Sequence, residues 1–230
     1  KPELDSLEKF MNIGFMNSIW RTGHLPALDM WLAGGNINYY YFGQYLYTYL
    51  ARLTGIRPEI AYNLAMATTL AFTFTLARAV VSRALRTAGG KDRRLGRAAP
   101  ICGGLLAGGL VTFAGNSHSF FFAESSPGFK FLNYLRGKGI VRADSPRAFW
   151  FADPTRFIGY NPETADKTIH EFPYYSFLVA DLHAHVINLA MVLLLLLCLV
   201  YLLRQADLVR AARTGRSGTD EESDDTAWHR

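Results

Sequence analysis

Val186-Ile-Asn-Leu-Ala-Met-Val-Leu-Leu-Leu-Leu-Leu-Cys-Leu-Val-Tyr-Leu-Leu203 is the stretch that decides the fold. It holds no charged residue, and about 18 such residues are enough to cross the hydrocarbon core of a bilayer. Inside that core every backbone polar group must be paired within the segment, so the run reads as a helix. The competing reading is a buried core helix of a soluble protein. Length and leucine content favour the span.

Working outward, a second apolar block runs from Ile60 to Val81, and its only charge is Arg78. That side chain lies near one end, from where it can snorkel to the interface. A third block, Ala98 to Gly115, is short and glycine-rich, with Pro100 in its first turn. Gly104 and Gly108 form a small-xxx-small pair flanked by Gly103 and Gly109, a pattern that lets another helix approach closely. A glycine-rich loop is the alternative there, but no charge interrupts the block. The fold class expected is all-α: a polytopic helical membrane protein with interfacial helices and an extracytoplasmic loop. Half of the 230 residues are hydrophobic, which fits this class. Cys102 and Cys198 both fall within apolar blocks. They read as small packing residues rather than a disulfide framework or a metal site. The chain begins at Lys1 with no signal peptide, so a piece of a longer or processed protein is expected.

The net charge of +5 is distributed in two groups. Arg83, Arg86, Lys91, Arg93, Arg94 and Arg97 crowd the link between the first two spans, and Arg204, Arg210, Arg213 and Arg216 follow the third. Basic residues flanking spans mark the cytoplasmic side. Neither group contains aromatic stacking residues, so nucleic acid is not the expected partner. Three crossings place both groups on the cytoplasmic side. The expected organisation is then an extracytoplasmic segment with interfacial helices over 1–58 and two transmembrane helices joined by a basic cytoplasmic turn over 59–115. An extracytoplasmic loop over 116–182, a transmembrane helix over 183–204 and a disordered, acidic cytoplasmic tail over 205–230 complete it.

Within the first segment, Leu4, Leu7, Phe10, Met11, Phe15, Ile19 and Trp20 recur at helical spacing and predict an amphipathic helix over 4–20. A tyrosine-rich stretch over 38–54, stopped by Thr54-Gly55, reads as a helix at the outer face. The loop 116–182 carries Phe120-Phe121-Phe122, Phe149-Trp150-Phe151 and several proline turns, Asp153-Pro154, Asn161-Pro162 and Phe172-Pro173 among them. Short helices and turns are expected in it. No strand pattern is apparent.

Three polar clusters could carry chemistry. The first is Asp29 beside Trp31 and Gly34-Gly35, leading into Asn38-Tyr39-Tyr40-Tyr41-Phe42-Gly43. Such an acid can meet a ligand, or it can simply cap a turn. The second is His170-Glu171-Phe172-Pro173, and the third is Asp181-Leu182-His183-Ala184-His185 at the mouth of the last span. If helical, Asp181 and His185 share a face. Ionisable groups at a membrane mouth are costly and are usually functional. A metal would need further ligands, from Glu171 or His170, and a hydrogen-bonded interfacial cap is the competing reading. Arg156, Lys167 and the histidines could neutralise a phosphate.

These residues carry a resemblance. Glu8-Lys9-Phe10-Met11-Asn12, Asp29-x-Trp31-Leu32-Ala33-Gly34-Gly35 and Ile37-Asn38-Tyr39-Tyr40-Tyr41-Phe42-Gly43 resemble the YYY-type (chlor-arch YYY) multi-spanning membrane proteins. Gly159-Tyr160-Asn161-Pro162, His170-Glu171-Phe172-Pro173 and Asp181-Leu182-His183-x-His185 are similar to that family's second signature. The similarity runs over residues 7–200. Family members are longer, so the resemblance implies a fragment whose partners include the missing helices and the lipid bilayer. The family in turn looks like a distant relative of the GT-C glycosyltransferases of the protein mannosyltransferase kind. That likeness implies an acid in the first extracytoplasmic loop that deprotonates an acceptor, with a polyprenyl-phosphate sugar as donor. An acid is expected near position 12, where this chain has Asn12, and an amide cannot serve as a base. The catalytic candidates are therefore Asp29 and Glu8. The substrate-binding candidates are Asn38, Tyr39, Tyr40, Tyr41, His170, Glu171, Asp181, His183 and His185. No cofactor is expected, a divalent metal being the alternative. A transporter or flippase and a non-catalytic structural component are the competing functions.

Overall fold

The computed structural model describes residues 8–88, 98–115, 120–121, 124–140, 158–160, 163–168 and 171–213. Its elements are helices α1 (Lys9–Arg21), α2 (Phe42–Thr54), α3 (Pro58–Ala88), α4 (Ala98–Phe113) and α5 (Pro127–Gly137). Strands β1 (Ile158–Tyr160) and β2 (Glu163–Thr168) follow, then helices α6 (Pro173–Val179) and α7 (Ala184–Arg213). Nearly everything described is helical, as the apolar blocks require.

Helices α3 and α7 are the two long enough and apolar enough to cross a bilayer among the described residues. Each candidate span has 30 residues, about 45 Å at 1.5 Å per residue, against about 30 Å of hydrocarbon. Only 28% and 17% of their most apolar windows are buried. A core helix of a soluble protein would be mostly buried, so that competing reading fails. Leucines such as Leu195 and Leu202 stand exposed along α7. Helix α4 has 16 residues, about 24 Å, so length alone does not make it a span.

Two compact units divide the chain, one from residues 1–71 and 109–188, the other from 72–108 and 189–230. In the second unit α4 lies close on α3. A Cβ built on Gly104 would stand 2.8 Å from the Arg78 carbonyl oxygen, and one on Gly108 2.9 Å from that of Phe74. Ser82 Oγ donates to the Pro100 carbonyl at 2.8 Å. The small-residue face therefore meets a neighbouring helix, as its spacing suggests. Cys102 and Cys198 are both unpaired and exposed, so they do not act as the buried packing residues their apolar surroundings suggested.

The first unit has two apolar clusters. Met16, Ala51, Ala61, Tyr62, Ala65, Met66, Leu182 and Ile187 make one, and Phe15, Ile19, Ala27 and Ile37 make the other. Gly43 is required small because a Cβ there would run into Ile187. Helix α1 faces the core with Lys9, Asn12, Phe15, Met16 and Ile19, a stripe at i, i+3, i+4 spacing. This corrects the apolar stripe read from the sequence: Phe10 is exposed, and a lysine and an asparagine occupy core positions. Leu4 and Leu7 lie outside the described residues. Helix α2 stops as expected at Gly55, whose φ of 69° is left-handed. It begins only at Phe42, leaving the three tyrosines in the preceding turn.

Among its described residues the loop before α6 contains the short helix α5, as expected, and one feature that was not. β1 and β2 pair antiparallel, with Ile158 opposite Thr168 and Tyr160 opposite Glu163. Strands of three and six residues, the longer one charged, are too short and polar to show alternation. The Phe149-Trp150-Phe151 cluster, the basic turn at 89–97 and the tail from 214 lie outside the described residues, whereas over 205–213, expected as disordered tail, α7 continues as helix.

Candidate functional site

The turn between α6 and α7 is where the chemistry gathers. Pro173 starts α6, and the helix ends after seven residues at Ala180, whose φ of 56° is left-handed. That conformation costs a non-glycine residue roughly 1–2 kcal/mol. Tyr62 of α3 holds it: its hydroxyl donates to the Ala180 carbonyl at 3.1 Å and accepts from the Leu182 N–H at 3.0 Å. The Asp181 N–H closes the turn on the Ser176 carbonyl at 2.9 Å. Helix α7 then begins, with the His183 carbonyl accepting from the N–H groups of Val186 and Ile187. Asp181 is therefore not on a helix, which corrects the expectation that it shares a helical face with His185.

Asp181 instead turns inward and is 4% exposed. Asn12 Nδ2 donates to its Oδ1 at 3.0 Å. Because an ionised carboxylate only accepts, the Asn12 amide must present its NH₂ there. Its carbonyl then accepts from Gln44 Nε2 at 2.8 Å, and the same nitrogen donates to the Leu182 carbonyl at 3.0 Å. Helices α1 and α2 and the 180–182 turn are thus tied at one buried point. Burial pushes the Asp181 carboxyl above its ordinary value. His183 and His185 oppose that shift, while Glu171 and Glu8 add to it.

Around Asp181 lies a more exposed set of groups. Glu8 Oε2 is 3.0 Å from His183 Nε2. His183 Nδ1 is 3.0 Å from His185 Nδ1. His185 Nε2 is 3.1 Å from Glu171 Oε2, with Ser176 Oγ at 3.5 Å. Tyr39 lies nearly parallel to the His183 ring, 13° between planes, with its hydroxyl 3.2 Å from Nε2. Partial burial raises the Tyr39 phenol, and the Glu8 carboxylate adds to this. Two carboxylates and two imidazoles within hydrogen-bond reach, half-open to the surroundings, are suited to moving protons to and from a bound hydroxyl.

The tyrosine run divides its labour. Tyr39 touches His183, Tyr40 packs its ring on Tyr39, and Tyr41 packs against the Phe15, Ile19, Ala27 and Ile37 cluster. Asn38 is exposed. Asp29 does not join the histidine cluster. Its Oδ1 accepts from the N–H groups of Trp31 at 2.7 Å and Leu32 at 3.0 Å, inside a loop closed by Asp29 N–H to the Gly35 carbonyl. This is the turn-capping role that an acid before a glycine pair can take. His170 and Arg156 lie outside the described residues. No group of three metal-binding side chains occurs among the described residues. A cavity of about 460 Å³ beside Thr22, Tyr45, Tyr49 and Arg52 includes no residue of the cluster.

Residues 1–216 match the family model described as an uncharacterized membrane protein family, DUF2298. The chain belongs to this family. Its description accords with the YYY-type resemblance and with the two long apolar helices, so this DUF2298 chain is a membrane protein whose surroundings include the lipid bilayer. No curated protein and no solved structure matches it. Asn12, Gln44, Tyr62 and Ser176 were not among the expected site residues.

Proposed function

We propose that this chain is the extracytoplasmic acid–base portion of a membrane glycosyltransferase of the GT-C-like kind, with Glu8 as the base. The observation that carries this reading is the approach of Glu8 to His183, from opposite ends of the chain, at 3.0 Å in a partly open site. Glu8 accepts the acceptor hydroxyl's proton as the hydroxyl oxygen bonds to the sugar's anomeric carbon. The bond from that carbon to the donor phosphate breaks, and polyprenyl phosphate leaves with the electron pair. Residues 1–58 and 116–182 lie outside the membrane, the basic turn within 83–97 lies inside, and α3, α4 and α7 are the three crossings. Asp29, held by its own loop, keeps a structural role. Tyr39 and Tyr40 offer the aromatic surface on which a sugar ring can stack.

A transporter reading fits less well. Transport pathways are built from discontinuous helices with charges near the bilayer midplane, whereas α3 and α7 are unbroken and the charges of their apolar stretches lie toward the ends, as Arg78 does. The test is the full-length protein in proteoliposomes with a labelled polyprenyl-phosphate sugar and a set of hydroxyl acceptors. Acceptor-dependent release of polyprenyl phosphate is expected. Movement of the intact lipid-linked sugar between leaflets, without cleavage, would favour the transporter instead.

A further inference from the structure

The contacts of the two histidines fix how many protons they carry. Each Nε2 faces a carboxylate oxygen, Glu8 for His183 and Glu171 for His185. Carboxylates accept, so both Nε2 atoms bear hydrogen. The two Nδ1 atoms face each other at 3.0 Å across rings that stand 88° apart. A contact at that distance needs one hydrogen and one lone pair. Three ring protons on two imidazoles satisfy all three contacts. With two, one nitrogen turns a lone pair to a carboxylate or to the other ring. With four, two N–H groups collide.

The geometry points to a histidine pair, His183 and His185, that shares one proton between its Nδ1 atoms and carries a single positive charge. His185 and Glu171 then act as positioning residues for Glu8. Together they keep a hydrogen on His183 Nε2, and that hydrogen orients the Glu8 carboxylate at 3.0 Å. This rests on the assignment of Glu8 as the base, but the proton count does not. The groups around the pair are Glu8 from the start of α1, with buried Lys9 next to it in sequence, and Tyr39 from the loop before α2. Asp181 and Ser176 come from the α6 side, and Glu171 from the residue pair before α6. Among the described residues, two carboxylates lie within hydrogen-bond distance of the pair, opposite in sign to the charge it carries. Losing the shared proton and gaining a second both break a contact, so the arrangement is closed over a band of pH, not above or below a single threshold.

The experiment is ¹⁵N NMR of the full-length protein labelled at histidine, across about pH 5–9 where imidazoles titrate. His183→Gln and His185→Gln spectra, recorded with EDTA present and absent, assign the signals. Two separate proton-uptake steps are expected for the pair. Between them the two Nδ1 signals should lie between protonated and bare values. His185→Gln should turn His183 into a single-step imidazole, and Glu171→Gln should shift the loss of the shared proton to lower pH. One-step titration of His183 that His185→Gln leaves unchanged would overturn the proposal. So would Nδ1 signals that move when EDTA is added, since the nitrogens would then be metal ligands. Should the pair behave as expected in a protein that transfers no sugar, the shared proton stands and the transferase reading falls.

Discussion

Asp181 is buried with its carboxyl pushed above the ordinary value, and this has a measurable consequence. Burial raises its folded-state value above the unfolded one, so the folded protein holds a proton that the unfolded chain releases. Its contribution to stability is therefore greatest below the ordinary carboxylate range and falls as pH rises through the folded-state value. Asp181→Asn removes that titration while its oxygen still accepts from Asn12. The variant is expected to melt in detergent at or above the wild-type temperature at neutral pH, without the gain that acid gives the wild type. A lower midpoint at neutral pH with the acid-side gain intact would contradict the burial argument. Asn12→Ala tests the other side of the same bond. It removes the amide donor of the buried Asp181 carboxylate, at a cost of about 1–3 kcal/mol for a buried group left unpaired, while Gln44 Nε2 keeps its bond to the Leu182 carbonyl, and it should lower the midpoint. At this scale the sequence was half legible. Asp181, His183 and His185 stood out as ionisable residues at the mouth of a span, Glu171 in the polar stretch before it, Tyr39 in the tyrosine run, and Glu8 through the family resemblance alone. Asn12 and Gln44 did not, because an amide's worth depends on which partner reaches it, and theirs are 169 and 32 residues away from Asn12.

At the scale of elements, α4 depends on its glycines where they meet α3. Gly104→Leu and Gly108→Leu push side chains into the carbonyls of Arg78 and Phe74, and overpacking of this kind costs roughly 1–3 kcal/mol. Gly109, whose added Cβ would meet nothing within 4 Å, is the control. Gly109→Leu should leave the thermal midpoint unchanged, while either of the other two lowers it. Equal midpoints for all three would mean that α4 does not pack on α3 through this face. The long helices were legible because an uninterrupted apolar run has few other solutions. The turn at 180–183 was not. Asp181 and His185 fit helical spacing, and only the Tyr62 hydroxyl, from another helix, shows why the chain breaks there. The β1–β2 pair was illegible for a related reason: a strand of three residues carries no period.

For the whole molecule, the account places the polar cluster outside the membrane. Single cysteines at Ser126 and Thr87, in a background lacking Cys102 and Cys198, should label oppositely with an impermeant thiol reagent in intact cells. Position 126 should react and position 87 should not. The reverse pattern would invert the topology and put the site on the cytoplasmic face. The central claim is that Glu8, brought to His183 by the fold, does the work that the sequence offered equally to Asp29. Sugar transfer by the full-length protein separates them directly. Glu8→Gln should lower the rate by about 10²–10⁴-fold, the usual worth of general-base help. Asp29→Asn, whose amide oxygen still accepts from the Trp31 and Leu32 N–H groups, should transfer at close to the wild-type rate. Loss of transfer in Asp29→Asn with Glu8→Gln unimpaired would contradict the account.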